Sequence, residues 1–172
     1  MSNTSRRKED QNTWNFIFSI VFSIVFIVAL YVIMQTRGGF PHSVPLFDFF
    51  LMAGAAFRIT RLVVYDKITR FFREWFVAKA THIRPDGEWI ELIALENGVR
   101  RTIHDLLGCP WCIGFWSSII VVFIYFVFDW GWLAILFLAV AGMGSVFQIV
   151  SNLIGWIAEK SKLETQRIES QS

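Results

Sequence analysis

Cys109-Pro110-Trp111-Cys112 contains the only two cysteines of this 172-residue chain, so its densest chemistry lies in one short element. Two thiols at this spacing have three uses. As a redox pair, Cys109 would cap a helix begun by Pro110, where the positive end of the helix dipole lowers a thiol pKa. No βαβ pattern of the kind that carries thioredoxin-like chemistry surrounds the element. As metal ligands, Cys109 and Cys112 form half of a tetrahedral site, with His104 or His82 as a third ligand, the site being completed by histidines or by a second protomer. In the plainest use, two small, soft side chains let a helix start close to its neighbours, with both thiols reduced. No Ser-His-Asp set, phosphate loop or pair of catalytic carboxylates accompanies them. The residues therefore weigh against an enzyme, with thiol oxidoreductase as the minority reading. No cofactor is expected, zinc being the alternative.

Two further constellations carry chemistry. Arg58 and Arg61, one turn apart, share one helical face inside an apolar stretch with Thr60 beside them, and Lys67, Arg70 and Arg73 lie just beyond. An arginine at mid-bilayer costs roughly 2.5 to 3.5 kcal/mol, so these either snorkel to the headgroups or bind a lipid phosphate or a partner carboxylate. Ala141, Ser145, Gln148 and Asn152 form a small-and-polar stripe on a helix otherwise built of large apolar residues. Such stripes pack helix on helix, and the sharper alternative is the lining of a small channel or transporter subunit.

The elements that must position these residues are membrane spans. Apolar residues make up 55% of the chain and aromatic residues 17%, with 18 Phe and 8 Trp. Four long apolar stretches cover residues 14–34, 46–65, 110–128 and 131–157. The first is unbroken and long enough, at about 1.5 Å per residue, to cross a bilayer core of about 30 Å. It is too long for a secretory signal, and no small-x-small cleavage site follows it. Arg6, Arg7 and Lys8 precede this stretch, and seven basic residues lie between the second and third. Lys160, Lys162 and Arg167 follow the last, whereas the two remaining loops hold Arg37 alone. Because basic loops stay inside, the expected fold is an all-α polytopic protein of the cell membrane with four transmembrane helices and both termini cytoplasmic. Trp14, Trp111, Trp116 and Trp156 would mark the inner interface, and Trp130 and Trp132 the outer. A formal net charge of +2 is too small to indicate nucleic-acid binding.

The expected organisation is a tail over residues 1–13, an anchor over 14–34, a core over 46–157 and a charged cytoplasmic tail over 158–172. Within the core, residues 66–109 form a cytoplasmic interfacial segment. Val64, Ile68, Phe71, Phe72, Trp75 and Phe76 recur at helical spacing opposite charged residues, which predicts an amphipathic helix on the inner leaflet. Pro85-Asp86-Gly87 predicts a turn, residues 89–95 a short strand and Asn97-Gly98 a second turn. Val99, Ile103, Leu106 and Leu107 then predict a second amphipathic helix. About 17 residues stay clear of the bilayer, too few for a catalytic domain.

Residues 57–68, Phe-Arg-Ile-Thr-Arg-Leu-Val-Val-Tyr-Asp-Lys-Ile, are followed after an insert by residues 106–116, Leu-Leu-Gly-Cys-Pro-Trp-Cys-Ile-Gly-Phe-Trp. Together they resemble the signature of the domain-of-unknown-function 1360 family of small bacterial membrane proteins, which includes YjcA-type sporulation proteins. The resemblance covers about residues 46–152 and implies a Gram-positive bacterial source but no established activity. It pairs the Arg-x-Thr-Arg and Cys-Pro-Trp-Cys blocks, so Arg58 and Arg61 are expected to bond the loop at residues 107–109. The function expected is that of a structural or partner-binding membrane component. Its partners would be the lipid bilayer and either a second copy or another membrane protein.

Overall fold

In the computed structural model, residues 3–39, 43–84, 87–94 and 98–169 are described. Six α-helices and one β-hairpin follow in the order α1 (Asn3–Arg37), α2 (Leu46–Val64), α3 (Arg70–Glu74), β1 (Val77–Arg84), β2 (Gly87–Ala94), α4 (Val99–Gly108), α5 (Pro110–Val127) and α6 (Gly131–Glu169). Three of these are long and apolar enough to cross a membrane, over Gln11–Arg37, Pro110–Val127 and Gly131–Arg167. The fourth expected span, α2, is a helix of 19 residues carrying Asp48, Arg58 and Arg61. It is as long as α5, and its three charged residues are what set it apart from the other three.

α2 is the hub. It packs most extensively on α6 and then on α5, while α1 lies against α5 on the far side. The core is the cluster of Met52, Ala55, Ala56, Val121 and Ile135 where α2, α5 and α6 meet. Small residues permit this approach, since helices in an apolar surrounding associate by close van der Waals packing. A Cβ at Gly142 of α6 would collide with the Gly54 carbonyl of α2, and one at Gly54 would lie 3.4 Å from Ala139. The α2–α6 seam is thus built on Ala139 and Gly142. The predicted stripe is displaced from it, because Ala141, Gln148 and Asn152 are exposed and only Ser145 reaches the seam.

The helix ends follow from local chemistry. Pro45 precedes α2, and its carbonyl accepts from the Phe49 amide at 3.0 Å. At the other end Asp66 is extended (φ −72°, ψ 144°), which stops the helix and overturns the expectation of one continuous amphipathic helix. The chain instead makes a 3-10 turn at Lys67–Thr69 before the five-residue α3. The Thr69 hydroxyl donates to the Leu62 carbonyl at 2.5 Å, and Arg73 Nη1 donates to the Val63 carbonyl at 2.6 Å. These bonds cap carbonyls that a helix C-terminus leaves unpaired.

The strand predicted at residues 89–95 is present as β2 and pairs antiparallel with β1, from Val77↔Ala94 to Arg84↔Gly87. Pro85, Asp86 and Asn97 of the two predicted turns lie outside the described residues. α4 matches the second amphipathic helix and buries Thr102 and Leu107. Between α5 and α6 the chain reverses at Phe128–Trp130, where the Gly131 amide donates to the Phe128 carbonyl at 3.0 Å. A Cβ at Gly131 would collide with the Ile124 carbonyl, so the reversal requires glycine.

Candidate functional site

The N-terminal part of α1, the C-terminal end of α2 and the start of α5 lie at one end of the bundle, which also gathers α3 and α4. Both sequence blocks sit there, but they are not joined as expected. Arg58 Nη1 pairs with Asp66 Oδ2 at 2.9 Å and donates to Ser145 Oγ at 3.3 Å. The expected bond from Arg58 to residues 107–109 is therefore replaced by a clamp from α2 to its own terminus and to α6. The extended backbone at Asp66 sets its carboxylate just beyond the last turn of α2, where it meets Arg58. Arg61 lies over the Tyr65 ring at 5.7 Å, and its Nε is buried with no hydrogen-bond partner. Thr60 donates to Ala56 O at 2.8 Å and meets Ser117 Oγ at 3.3 Å, linking α2 to α5.

The basic segment beyond is largely committed to local bonds. Arg70 pairs with Glu74 at 2.6 Å, and Arg73 is spent on the α2 cap. Arg100 donates to the Trp75 carbonyl, tying α4 to the end of α3. Lys67 is exposed, as are the large apolar side chains of Ile68, Phe71 and Trp75. A pocket of about 300 Å³, between α3, β1 and α4, is lined in part by Arg70, Arg73, Glu74 and His104.

Cys109 is the N-cap of α5 and Pro110 its first residue, as the spacing predicts; the Cys112 amide donates to Cys109 Sγ at 3.3 Å. Both cysteines are free. The Cys112 thiol and then the Cys112 amide bond Cys109 Sγ, which holds the Cys109 thiol below its ordinary pKa. His104 turns to Asp105, at 3.2 Å, and lines a different pocket from Cys112. Among the described residues no group of three or more His, Cys, Asp or Glu side chains is placed to hold a metal ion. The side chain of His82 lies outside the described residues.

Several positioning residues escaped the sequence reading. Gln11 Nε2 donates to Thr102 Oγ1 at 2.7 Å and to Asn15 Oδ1 at 3.2 Å, fastening α1 to α4. Asp105 pairs with Arg101 at 2.8 Å. Burial pushes the Asp105 carboxyl up, but hydrogen bonds from Arg101 and His104 more than offset this and hold it below its ordinary value. At the opposite end, Tyr125 donates to Asp48 at 2.5 Å and Arg37 Nε donates to the Phe126 carbonyl at 2.8 Å. Asp48 was signalled as a charge inside an apolar run, whereas Gln11, Thr102 and Asp105 sit in polar stretches that gave no signal. Gln148 and Asn152 bond each other at 2.8 Å on the exposed face of α6.

Residues 51–151, more than half of the chain, match the family described as protein of unknown function DUF1360. The chain belongs to the DUF1360 family. The matched region takes in the Arg58 clamp, the Cys109 cap and the Gly54–Gly142 contact, and it excludes α1. Within this setting the chain is 32% identical over 112 residues to sporulation protein YjcA of Bacillus subtilis (strain 168), covering 63% of this chain and 92% of that protein. It is also 32% identical over 73 residues to UPF0713 protein YngL of the same organism, covering 42% of this chain and 53% of that protein. No solved structure matches this DUF1360 chain.

Proposed function

We propose that this DUF1360 protein is a four-span component of the cell membrane with both termini cytoplasmic, acting as a structural or partner-binding element without catalysis. α2 serves as the fourth span: at about 1.5 Å per residue its 19 residues reach roughly 28 Å. Its charges lie near its ends or in clamps, which lowers their cost in lipid. The observation that carries the reading is the Arg58 clamp together with the Thr69 and Arg73 cap. These bonds serve no substrate; they hold the end of α2 so that Ile68, Phe71 and Trp75 project together from the basic end. An aromatic face beside Lys67 and Arg70 suits the inner leaflet, where apolar rings enter the acyl boundary and cations meet anionic headgroups.

The partners proposed are the bilayer and another membrane protein or a second copy, with no nucleic acid and no resident cofactor. The sporulation label of YjcA extends to this chain as a proposed setting. A photo-crosslinking residue at Phe71, activated in intact cells, tests the function. Adducts to lipid or to one discrete protein are expected, and their loss in Arg58→Ala at equal protein level would tie them to the clamp. Absence of both adducts would sink the reading. Deletion of the gene followed by counts of heat-resistant spores tests the setting separately.

A further inference from the structure

The first turn of α5 holds two sulfurs side by side. Cys109 stands outside the helix as its N-cap (φ −97°, ψ 104°), and Cys112 follows one turn later. Helical geometry sets Cα atoms three residues apart at about 5 Å, inside the range of about 4.4 to 6.8 Å that a disulfide bridges. The Cys112 amide donates to Cys109 Sγ at 3.3 Å, and the Cys112 thiol bonds the same sulfur. The backbone around them is already fixed: the Cys109 amide donates to the Leu106 carbonyl, and the Cys109 carbonyl accepts from the Ile113 amide, both at 3.1 Å. The two sulfurs can therefore join by side-chain rotation, without unwinding α5.

Neither packing nor capping accounts for sulfur at both positions. Cys112 is exposed and Cys109 only partly covered, so the pair fills no gap between helices. The side chains that cap helices best carry oxygen, and a cap needs no second thiol at its third residue. What the arrangement does supply is a nucleophile and a resolving group. Pro110 has no amide hydrogen, so the Cys112 thiol and then the amides of Cys112 and Trp111 converge on Cys109 Sγ and hold its thiol below the ordinary value. The thiolate is the species that attacks a disulfide, and Cys112 stands next to it to complete the exchange.

We propose that Cys109 and Cys112 form a reversible dithiol–disulfide pair that exchanges with a disulfide on another molecule. The Cys109 thiolate attacks one sulfur of that disulfide, forming a mixed disulfide and releasing the other half as a thiolate. Cys112 then gives up its proton and attacks Cys109 Sγ, which closes the intramolecular S–S bond and releases the second half. Two thiols are oxidised and one external disulfide is reduced to two thiols; the two protons lost by the pair pass through water to the two leaving groups. The exchange is stoichiometric with the chain, so it gives the membrane component a second chemical state rather than turnover. It stands on the start of α5 and does not depend on what Phe71 meets.

Full-length protein in mild detergent is exposed to oxidised glutathione without oxygen, quenched in acid, and its remaining thiols are counted by the mass they gain from a maleimide. Wild type should lose both thiols together to an intramolecular disulfide that dithiothreitol reverses. Cys112→Ser should stop at a single glutathione on Cys109. Cys109→Ser, which keeps a capping side chain, should react about tenfold more slowly at Cys112. Thermal melting shows that each variant is folded, and wild type unfolded in guanidinium chloride should react severalfold more slowly than the folded protein. In intact cells, acid trapping should find the pair oxidised during a pulse of diamide and reduced again after washout. Equal rates for the two serine variants, glutathione left on both cysteines of wild type, or a pair that stays reduced through the pulse would each overturn the proposal. So would stoichiometric zinc shielding both thiols in protein isolated without chelator.

Discussion

Arg58 and Asp66 meet at 2.9 Å across the end of α2, each about one quarter exposed, and the same guanidinium nitrogen reaches Ser145 of α6. Removing the arginine strands a half-buried carboxylate and releases α2 from α6. Arg58→Ala is expected to destabilise the protein by about 1 to 3 kcal/mol, read as a lowered Tm in detergent. With Asp66→Asn in a double-mutant cycle, the two losses should fall short of additivity by about 0.5 to 3 kcal/mol. Strict additivity would mean that the pair contributes nothing.

The two glycines at Gly142 and Gly144 separate packing from propensity. A Cβ at Gly142 meets the Gly54 backbone, whereas one at Gly144 meets nothing within 4 Å. Gly142→Ala should cost about 1 to 3 kcal/mol through overpacking. Gly144→Ala should be neutral or stabilising by up to about 1 kcal/mol, as expected for an exposed helical glycine. Melting curves that rank the two the other way would reject the α2–α6 seam described above.

Cys109 should be the faster thiol at neutral pH. Its pKa is lowered by the thiol and amide of Cys112, so the pH midpoint of its alkylation lies below that of an ordinary cysteine. Cys112→Ala removes the first of these bonds and should move the midpoint up. An unchanged midpoint would show that the two side chains do not interact. Cys109→Ser should retain the cap on α5, and Cys109→Ala should lose it, with a lower Tm only in the second.

Asp105 gives a pH dependence of defined sign. Its folded pKa is lowered, so its contribution to stability is full above the unfolded carboxylate value of about 4 and is lost as pH falls through the folded value. Wild type should therefore lose Tm between about pH 5 and pH 3 more steeply than Asp105→Asn. Parallel curves would count against the Arg101 and His104 bonds.

Much of the fold was legible because bilayer-length apolar runs leave few choices. Residues 110–128 and 131–157 were expected as spans and are found as Pro110–Val127 and the first part of Gly131–Glu169. The Cys109 cap followed from Cys-Pro at a helix start. The break at Asp66 was hidden, since the aromatic residues on both sides kept helical spacing while Thr69 and Arg73 turned back to cap α2. β1 escaped because its partner is β2 and its pairing is a two-strand property. The partner of Arg58 was missed for a related reason. Spacing along a helix cannot register a carboxylate that returns to the helix only after the chain has left it. On α6, polarity suggested a packing stripe, yet size decided the contact: Ala139 and Gly142 lie in the seam and Gln148 does not.

α6 is one uninterrupted helix of 39 residues, about 58 Å at 1.5 Å per residue, yet α2, the helix it grips, has only 19. Mechanically it is a lever with its fulcrum at the Gly54–Gly142 crossing and a long free arm beyond Ser145. No joint interrupts that arm. A sideways load applied near Lys162 is carried along that helix to a crossing where a glycine stands on each side. Whatever engages the end of α6 thereby has direct purchase on the centre of the bundle.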